Sequence, residues 1–154
     1  MNSNVEKLDK TLWRLFFTTH SMLVNLIEQE FAQTGLPPLA WYDVLLVLSE
    51  SPTHRLRMHE LASTMLLDRS NLTRLVDRLE VAGLVCRKSC PTDRRGAFAA
   101  ITEAGIVMQQ KMQLIYSEAI AKYFASHLSD TEVRVLTQAL ERMQATAQKA
   151  EIAR

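Results

Sequence analysis

The sequence predicts a mainly α-helical fold with one small β-hairpin. Apolar residues recur at three- and four-residue steps over most of the 154 residues, the spacing that buries one face of a helix. Two short runs, Leu84–Ser89 and Ala97–Ile101, read instead as strands, and the turn-rich sequence CPTDRRG separates them. Hydrophobic residues make up 47% of the chain, so it can bury a core and disorder is not expected.

The first half of the chain begins with two predicted helices. The first runs from about Val5 to Ala32 and the second from about Leu39 to Ser49, with a break at Pro37 and Pro38. The first helix is too long and apolar for one small domain to cover, so we expect part of it to contact another chain. The expected buried residues of the second helix are Trp41, Val44, Leu45, Val47 and Leu48. The next residues, His54–Arg57, could add a short strand.

A pair of short helices is predicted in residues 58–83. Asp68 suits the N-cap of the second helix, because its carboxylate can accept hydrogen bonds from backbone N–H groups one turn in. The turn between the helices, Met65-Leu66-Leu67, contains no glycine, and we expect it to be tightly packed. The apolar residues that fall where a helix pair needs them are Leu61, Ala62, Met65, Leu67, Leu72, Leu75, Val76 and Leu79. The residues left together on an exposed face of the second helix are Asn71, Arg74 and Arg78.

Two more helices are predicted after the hairpin. Thr102 caps one that runs from about Glu103 to His127. The capping-box sequence SDTE at 129–132 opens the other, which frays toward Arg154. The residues that we expect this last helix to bury are Val133, Leu136, Leu140 and Met143.

Basic residues concentrate in the middle of the chain. The formal net charge of the chain is +1, but residues 55–95 contain nine Lys or Arg against five Asp or Glu, a net charge of +4. Attraction to phosphate at one surface requires such an excess. Two short helices followed by a basic hairpin form the layout of a winged helix-turn-helix, which inserts its second helix into the DNA major groove. The predicted fold is therefore a winged helix-turn-helix with a small β-wing, flanked by N- and C-terminal helices.

The candidate DNA-binding residues come from the second helix of this unit and from the wing. On the helix they are Arg69, Ser70, Asn71, Thr73, Arg74 and Arg78. Arginine can donate two hydrogen bonds to guanine and asparagine can pair with adenine, whereas Ser70 and Thr73 suit phosphates. In the wing they are Arg87 and Lys88, expected to follow the DNA backbone, and Asp93, Arg94 and Arg95 at the loop tip. Arginines at the tip suit a narrow minor groove, with Asp93 orienting one of them.

Three stretches carry a family likeness. The run DRSNLTRLVDRLEVAGLV, the wing sequence DRRG and the ITEAG that follows it resemble the MarR family of bacterial transcription regulators. The likeness extends over nearly the whole chain. It implies a homodimer, built from the first and last helices, that binds a pseudo-palindromic site, and it favours Arg95 as the residue inserted into the minor groove. Many members of the family are repressors released by a small ligand or by oxidation.

The resemblance also implies three regions and a sensing site. The regions are an N-terminal dimerisation helix (1–35), a winged helix-turn-helix DNA-binding domain (36–102) and C-terminal dimerisation helices (103–154). An effector would bind between the dimer helices and the DNA-binding domain. The residues that could line that pocket are Trp13, Phe17, His20, Trp41 and Tyr42, although aromatic residues at helical spacing are also typical of a core.

Two alternatives stay open. Cys86 and Cys90 lie among basic residues, and positive neighbours can make a thiol reactive, so the protein could be a redox-responsive regulator. The winged unit could also bind another protein instead of DNA, although its basic helix and wing favour DNA.

Other classes of function lack support in the sequence. There is no Gly-rich phosphate loop or nucleophile elbow, and His59 and Glu60 lack the second histidine of an HExxH zinc site, so we expect neither an enzyme nor a cofactor or metal site. No apolar run approaches the ~20 residues of a membrane span, and the polar N-terminus has no signal-peptide pattern. These features predict a cytoplasmic protein without membrane contact.

Overall fold

The computed structural model describes residues 3–90 and 93–153, with the side chains of 3–8, 90 and 93–95 outside the description. Within those ranges the chain forms six α-helices, one short 3₁₀ turn and a three-stranded sheet. In chain order the elements are α1 (Ser3–Gln33), α2 (Leu39–Glu50), β1 (Arg55–Arg57), α3 (Met58–Met65), α4 (Arg69–Val81), β2 (Val85–Cys90), β3 (Asp93–Ile101), α5 (Glu103–Tyr123), the 3₁₀ turn (Ala125–His127) and α6 (Asp130–Ile152). The predicted mainly helical fold with a small β-wing is confirmed, including the short strand β1.

The wing is an antiparallel sheet in the order β1-β3-β2. Because β3 begins at Asp93, which pairs with Cys90, only residues 91 and 92 separate the two wing strands. The prediction that residues 93–95 form the loop tip is therefore wrong for the backbone: Arg94 and Arg95 lie on β3, next to a register shift between Ser89 and Cys90. Strand β2 pairs with β3 from Val85 opposite Ile101 to Ser89 opposite Ala97, and again at Cys90 opposite Asp93, so the turn-rich sequence lies partly on β3.

The core lies where α2 meets the helix-turn-helix and the sheet. The fully buried side chains include Leu45, Leu48, Leu61, Leu72, Val76, Leu79, Val85 and Met112. The predicted inward face of α4 is confirmed. On α2, however, Trp41 and Val47 are only half-buried, while Tyr42 is 1% exposed and packs against Phe31 and Tyr116.

The turn between α3 and α4 differs from its prediction. Leu66 has a left-handed backbone with φ 55°, and its side chain is 81% exposed, so this turn is not tightly packed around it. The turn closes α3 by backbone hydrogen bonds from Leu66 N to Ser63 O and from Leu67 N to Ala62 O. A non-glycine residue in this conformation costs about 1–2 kcal/mol, which the flanking buried residues Leu61 and Leu72 offset.

The ITEAG sequence fastens α5 to the end of α4. The Thr102 hydroxyl accepts a hydrogen bond from Gly105 N (3.0 Å) and donates one to Gly83 O (2.7 Å). A Cβ at Gly105 would collide with the Leu84 carbonyl oxygen and lie 2.7 Å from Ile101 Cγ1. A glycine is therefore required for α5 to approach the wing this closely.

The C-terminal helices differ from prediction in two respects. Helix α5 ends at Tyr123, and a 3₁₀ turn replaces its predicted last turn, because Phe124 leaves helical geometry with φ −123° and ψ −67°. The predicted capping box of α6 is confirmed, with Ser129 N donating to Glu132 Oε2 (2.8 Å). None of the α6 residues within the described range is buried by the single chain, so the expected burial of Val133, Leu136, Leu140 and Met143 is wrong at this level.

Helices α1 and α6 present apolar surface to solvent. The α1 side chains exposed by 47–66% are Leu12, Trp13, Leu15, Phe16, Phe17 and Met22. A groove of about 560 Å³ runs between the two helices, lined chiefly by Leu12, Leu15, Phe16, Leu23, Phe124, Leu136 and Leu140. So large an apolar surface is unusual for a monomer and marks an interaction face.

Candidate nucleic-acid interface and effector pocket

Helix α4 begins at a well-formed N-cap. The Asp68 carboxylate accepts hydrogen bonds from Asn71 N (2.8 Å), Asn71 Nδ2 (2.9 Å) and Ser70 Oγ (3.0 Å), which confirms the predicted cap. These hydrogen bonds, the one from Asn71 N foremost, lower the pKa of Asp68. The cap fixes the first turn of α4, so its remaining N–H groups and its positive dipole end point outward.

The outward face of α4 carries the predicted reading residues. Arg69, Ser70, Asn71, Arg74 and Arg78 are exposed, while Thr73 is half-buried. The Thr73 hydroxyl donates to the Arg69 carbonyl oxygen (2.8 Å). In the described part of the chain neither Arg74 nor Arg78 forms an ion pair, so both guanidinium groups can accept a new partner.

Arg87, which is predicted to follow the DNA backbone, forms ion pairs within the chain. Its guanidinium pairs with Asp77 and also with Glu80 (3.3 Å), both on α4, and its backbone N donates to Glu80 Oε2 (2.7 Å). The latter hydrogen bond is the main reason that the pKa of Glu80 is lowered. This arrangement ties β2 to α4 and largely neutralises the Arg87 charge.

The solvent face of the sheet carries two arginines that contribute to the basic charge of residues 55–95 but have no role among the sequence predictions. Arg55 and Arg57 lie over the Phe98 ring, with guanidinium carbons 5.1 and 5.2 Å from its centroid. Lys88 pairs with Phe98 in the strand register and is exposed. The alternation of Arg55, Leu56 and Arg57 along β1 was the available signal, because it places both arginines on one face.

The remaining wing residues are only partly described. Cys86 is a free, half-buried thiol on β2. The side chains of Cys90, Asp93, Arg94 and Arg95 lie outside the described residues, and the redox and minor-groove roles assigned to them stay predictions.

A cavity of about 570 Å³ lies between α1, α2 and α5, and it shares His20, Leu23 and Phe124 with the α1–α6 groove. Its apolar lining includes Leu23, Val24, Ile27, Leu39, Ala40, Ala119, Ile120 and Phe124. Its polar lining consists of His20, Glu28, Asp43, Tyr116 and Tyr123. A volume of this size, mostly apolar with a few polar groups, is typical of a site for a small organic ligand.

Only His20 of the five predicted effector residues lines this cavity. Trp13 and Phe17 are exposed on α1. Trp41, on α2, is half-buried beside Arg78 near the C-terminal end of α4. Tyr42 is a core residue whose hydroxyl donates to Gln113 Oε1 (2.7 Å), and burial raises its pKa to about 12. The two carboxylates of the cavity, Glu28 and Asp43, were missed because an acidic residue on a helix normally reads as solvated surface.

Among the side chains that the structure describes, no group of three His, Cys, Asp or Glu is close enough to hold a metal ion. Over the same part of the chain, no helix combines the length and hydropathy that crossing a bilayer needs.

The chain is similar to known transcription regulators. A family model described as the MarR family matches residues 34–96. The regulator MhqR of Bacillus subtilis is 36% identical over 86 residues, and the match spans 56% of this chain but only 59% of MhqR. A candidate regulatory protein for the hcr operon of Thauera aromatica is 31% identical over 123 residues, which are 75% of this chain and 70% of that protein.

Solved structures agree with this similarity. Sco3205 of Streptomyces coelicolor, a MarR family regulator in complex with DNA, has a TM-score of 0.84 at 27% identity, covering 94% of this chain and 88% of its own. CouR of Rhodococcus jostii, bound to p-coumaroyl-CoA, has a TM-score of 0.75 at 29% identity, covering 88% and 93%. The fold, the sequence motifs and the relatives all agree, and the chain belongs to the MarR family of transcription regulators, a family of DNA-binding proteins and not of enzymes.

Proposed function

We propose that this regulator binds double-stranded DNA as a homodimer, with α4 in the major groove and the wing in the minor groove. The observation that carries the proposal is the two-sided α4: Leu72, Val76 and Leu79 are fully buried, while Asn71 and the unpaired Arg74 face solvent. Arginine and asparagine are the side chains that read guanine and adenine in the major groove. Sco3205, a similar fold that was solved in complex with DNA, supports DNA binding by this chain.

The proposed dimer is built from residues 1–35 and 103–154, around a DNA-binding domain at 36–102. Its support is the exposed apolar surface of α1 and α6, which one chain leaves uncovered. A two-fold dimer would read a pseudo-palindromic site with half-sites about 10 bp apart. Such a protein would act in the cytoplasm, where the DNA is.

We also propose that it is a repressor released by a small molecule in the α1–α2–α5 cavity. Helix α2 contributes Leu39 and Asp43 to that cavity and, on its other side, packs Leu45 and Leu48 into the core beneath α3 and α4. A ligand that prefers one position of α2 would therefore shift the spacing of the two reading helices. CouR, which was solved with p-coumaroyl-CoA, is a precedent for ligand binding in this fold.

The DNA-binding proposal is tested by two substitutions measured over a range of salt concentrations. Arg74→Ala should lower affinity and relax sequence preference at one position, at a cost of about 1–3 kcal/mol on the preferred site. Arg95→Ala should lower affinity on most sequences. A variant that loses a phosphate contact should also reduce the slope of log K against log salt by about one.

Lys111→Ala is the matched control, because Lys111 is an exposed cation on α5, which is part of neither α4 nor the wing. It should leave affinity, preference and salt slope unchanged. Wild-type affinity in both Arg74→Ala and Arg95→Ala would rule out this mode of DNA binding.

A further inference from the structure

We propose that the cavity between α1, α2 and α5 selects a cationic amphipathic ligand, such as an aryl-alkyl amine, and rejects organic anions of the same shape. The inference rests on the ligand-responsive function proposed above and adds the chemical class of the ligand. It is argued from the charged, aromatic and apolar groups that line the cavity.

Two carboxylates lie in the mostly apolar lining of the cavity. Glu28 faces the cavity from α1 and accepts a hydrogen bond from Leu39 N (3.0 Å), which holds it at the start of α2. Asp43 lies one turn further along α2, half-buried. Burial, and secondly the charge of Glu28, raises the pKa of Asp43, so the two groups repel each other across a partly desolvated space.

Within the part of the chain that the structure describes, the cavity lining contains no side chain with a permanent positive charge to neutralise these carboxylates. Among the described residues that line it there is no lysine or arginine, and His20 lies exposed at its rim. The nearest lysine along α5, Lys122, is not a lining residue and pairs with Glu30 (3.6 Å). In the described part of the chain, no hydrogen bond or ion pair to the Asp43 carboxylate is formed. A bound ammonium group would supply the missing charge, whereas a carboxylate ligand would meet two like charges.

The aromatic lining suits the same ligand class. Tyr116 lines the cavity, and its pKa is raised by burial first and by the charge of Asp43 second. The Tyr116 ring and the Asp43 carboxylate therefore lie in the same part of the cavity. The Tyr116 ring is held by Tyr42, with centroids 4.6 Å apart. A cation between a carboxylate and an aromatic face gains from both, and the apolar wall formed by Leu23, Ile27 and Ile120 would cover an aryl group.

The test uses three naphthalene probes that share one ring system and differ in charge: 2-(2-naphthyl)ethylammonium, 2-(2-naphthyl)ethanol and 2-naphthylacetate. Binding to the full chain is measured by calorimetry at neutral pH, without DNA, up to about 1 mM ligand. We expect the ammonium probe to bind at least about tenfold more tightly than the acetate, with the alcohol between them.

Two isosteric variants locate the effect. Asp43→Asn and Glu28→Gln should each lower affinity for the ammonium probe about tenfold and should not weaken the acetate. Glutamine keeps an oxygen that can accept from Leu39 N, so the start of α2 is preserved. Glu118→Gln, at an exposed α5 position outside the cavity lining, is the matched control and should change none of the affinities.

The proposal is overturned if the acetate binds as tightly as the ammonium, if Asp43→Asn leaves ammonium affinity unchanged, or if no naphthyl probe binds. Because the calorimetry contains no DNA, its outcome is independent of the DNA-binding test. Normal DNA binding without ammonium binding would remove only this inference, whereas ammonium binding without DNA binding would remove only the proposed reading of DNA.

Discussion

At the scale of single residues, Gly105 explains why the ITEAG sequence follows the wing. Its missing side chain lets α5 lie directly against the Leu84 carbonyl oxygen, and Thr102 bonds to both Gly105 N and Gly83 O. The sequence marks this position only as a glycine one turn into a helix, where glycine is normally unfavourable. The structure supplies the reason, which is a close contact between α5 and the turn after α4.

We expect Gly105→Ala to destabilise the protein by about 1–3 kcal/mol, because the added methyl group forces α5 away from the wing. Urea unfolding measures the change. Gln110→Ala, an exposed position on the same helix, should stay within about 0.5 kcal/mol of wild type. A Gly105→Ala protein that is as stable as wild type, or more stable through the better helix propensity of alanine, would contradict the contact.

Other residues show where sequence reasoning stops. The cap at Asp68 and the buried face of α4 follow from local spacing, and both are confirmed. Glu28 and Asp43 come together only because α1 and α2 cross, which no local pattern reveals. The sequence allows Tyr42 to be either a pocket residue or a core residue, and its packing against Phe31 and Tyr116 makes it part of the core.

At the scale of elements, the wing and α4 act as one unit. Arg87 on β2 bonds to Asp77 and Glu80 through its side chain and to Glu80 through its backbone. These contacts set the wing at a fixed angle to the helix that we propose reads DNA. Arg87 and Lys88 carry the same expected role in the sequence, but successive strand residues face opposite ways, so only Arg87 reaches α4.

We therefore expect Arg87→Ala and Lys88→Ala to differ in kind. Arg87→Ala should speed amide hydrogen exchange in β2 and lower DNA affinity while leaving the salt slope unchanged, because it loosens the wing without removing a phosphate contact. Lys88→Ala should leave exchange unchanged and, if Lys88 follows the DNA backbone, reduce the slope by about one. Arg87 does not hold β2 against α4 if Arg87→Ala reduces the salt slope by about one while hydrogen exchange in β2 stays at the wild-type rate.

The sequence predicts the start of a helix well where a capping residue marks it. It predicts the end of an element poorly where contacts with another element determine that end. Ser129 and Thr102 cap α6 and α5 as predicted. The start of β3 at Asp93 depends on pairing with β2, which overrides the turn propensity of the sequence. The end of α5 at Tyr123 carries no glycine or proline signal.

At the scale of the whole molecule, the apolar face of α1 and α6 is the main feature that one chain leaves unsatisfied. The expectation that α1 needs a second chain came from its length and its apolar stripe, and the exposure of Leu12, Leu15 and Phe16 agrees with it. The apolar face of α6 is expected to be buried, but the periodicity of a helix reveals only that such a face exists and not what covers it.

A charged side chain in this groove should separate the subunits. We expect Phe16→Asp to shift the protein from dimer to monomer in sedimentation equilibrium, since Phe16 lines the α1–α6 groove and an unpaired carboxylate is costly to bury. Val81→Asp is the control: Val81 is 91% exposed at the end of α4, and its replacement should leave the oligomeric state unchanged. A Phe16→Asp protein that remains dimeric would exclude this face as the interface.

In the proposed dimer, two copies of α4 and the wing together read one symmetric DNA site. The most direct measurement is selection of bound duplexes from a random pool by the full chain, followed by sequencing. We expect enrichment of a pseudo-palindrome whose half-sites lie about 10 bp apart, and loss of that enrichment for Arg74→Ala. Recovery of no common sequence, or of a single unrepeated half-site, would contradict it.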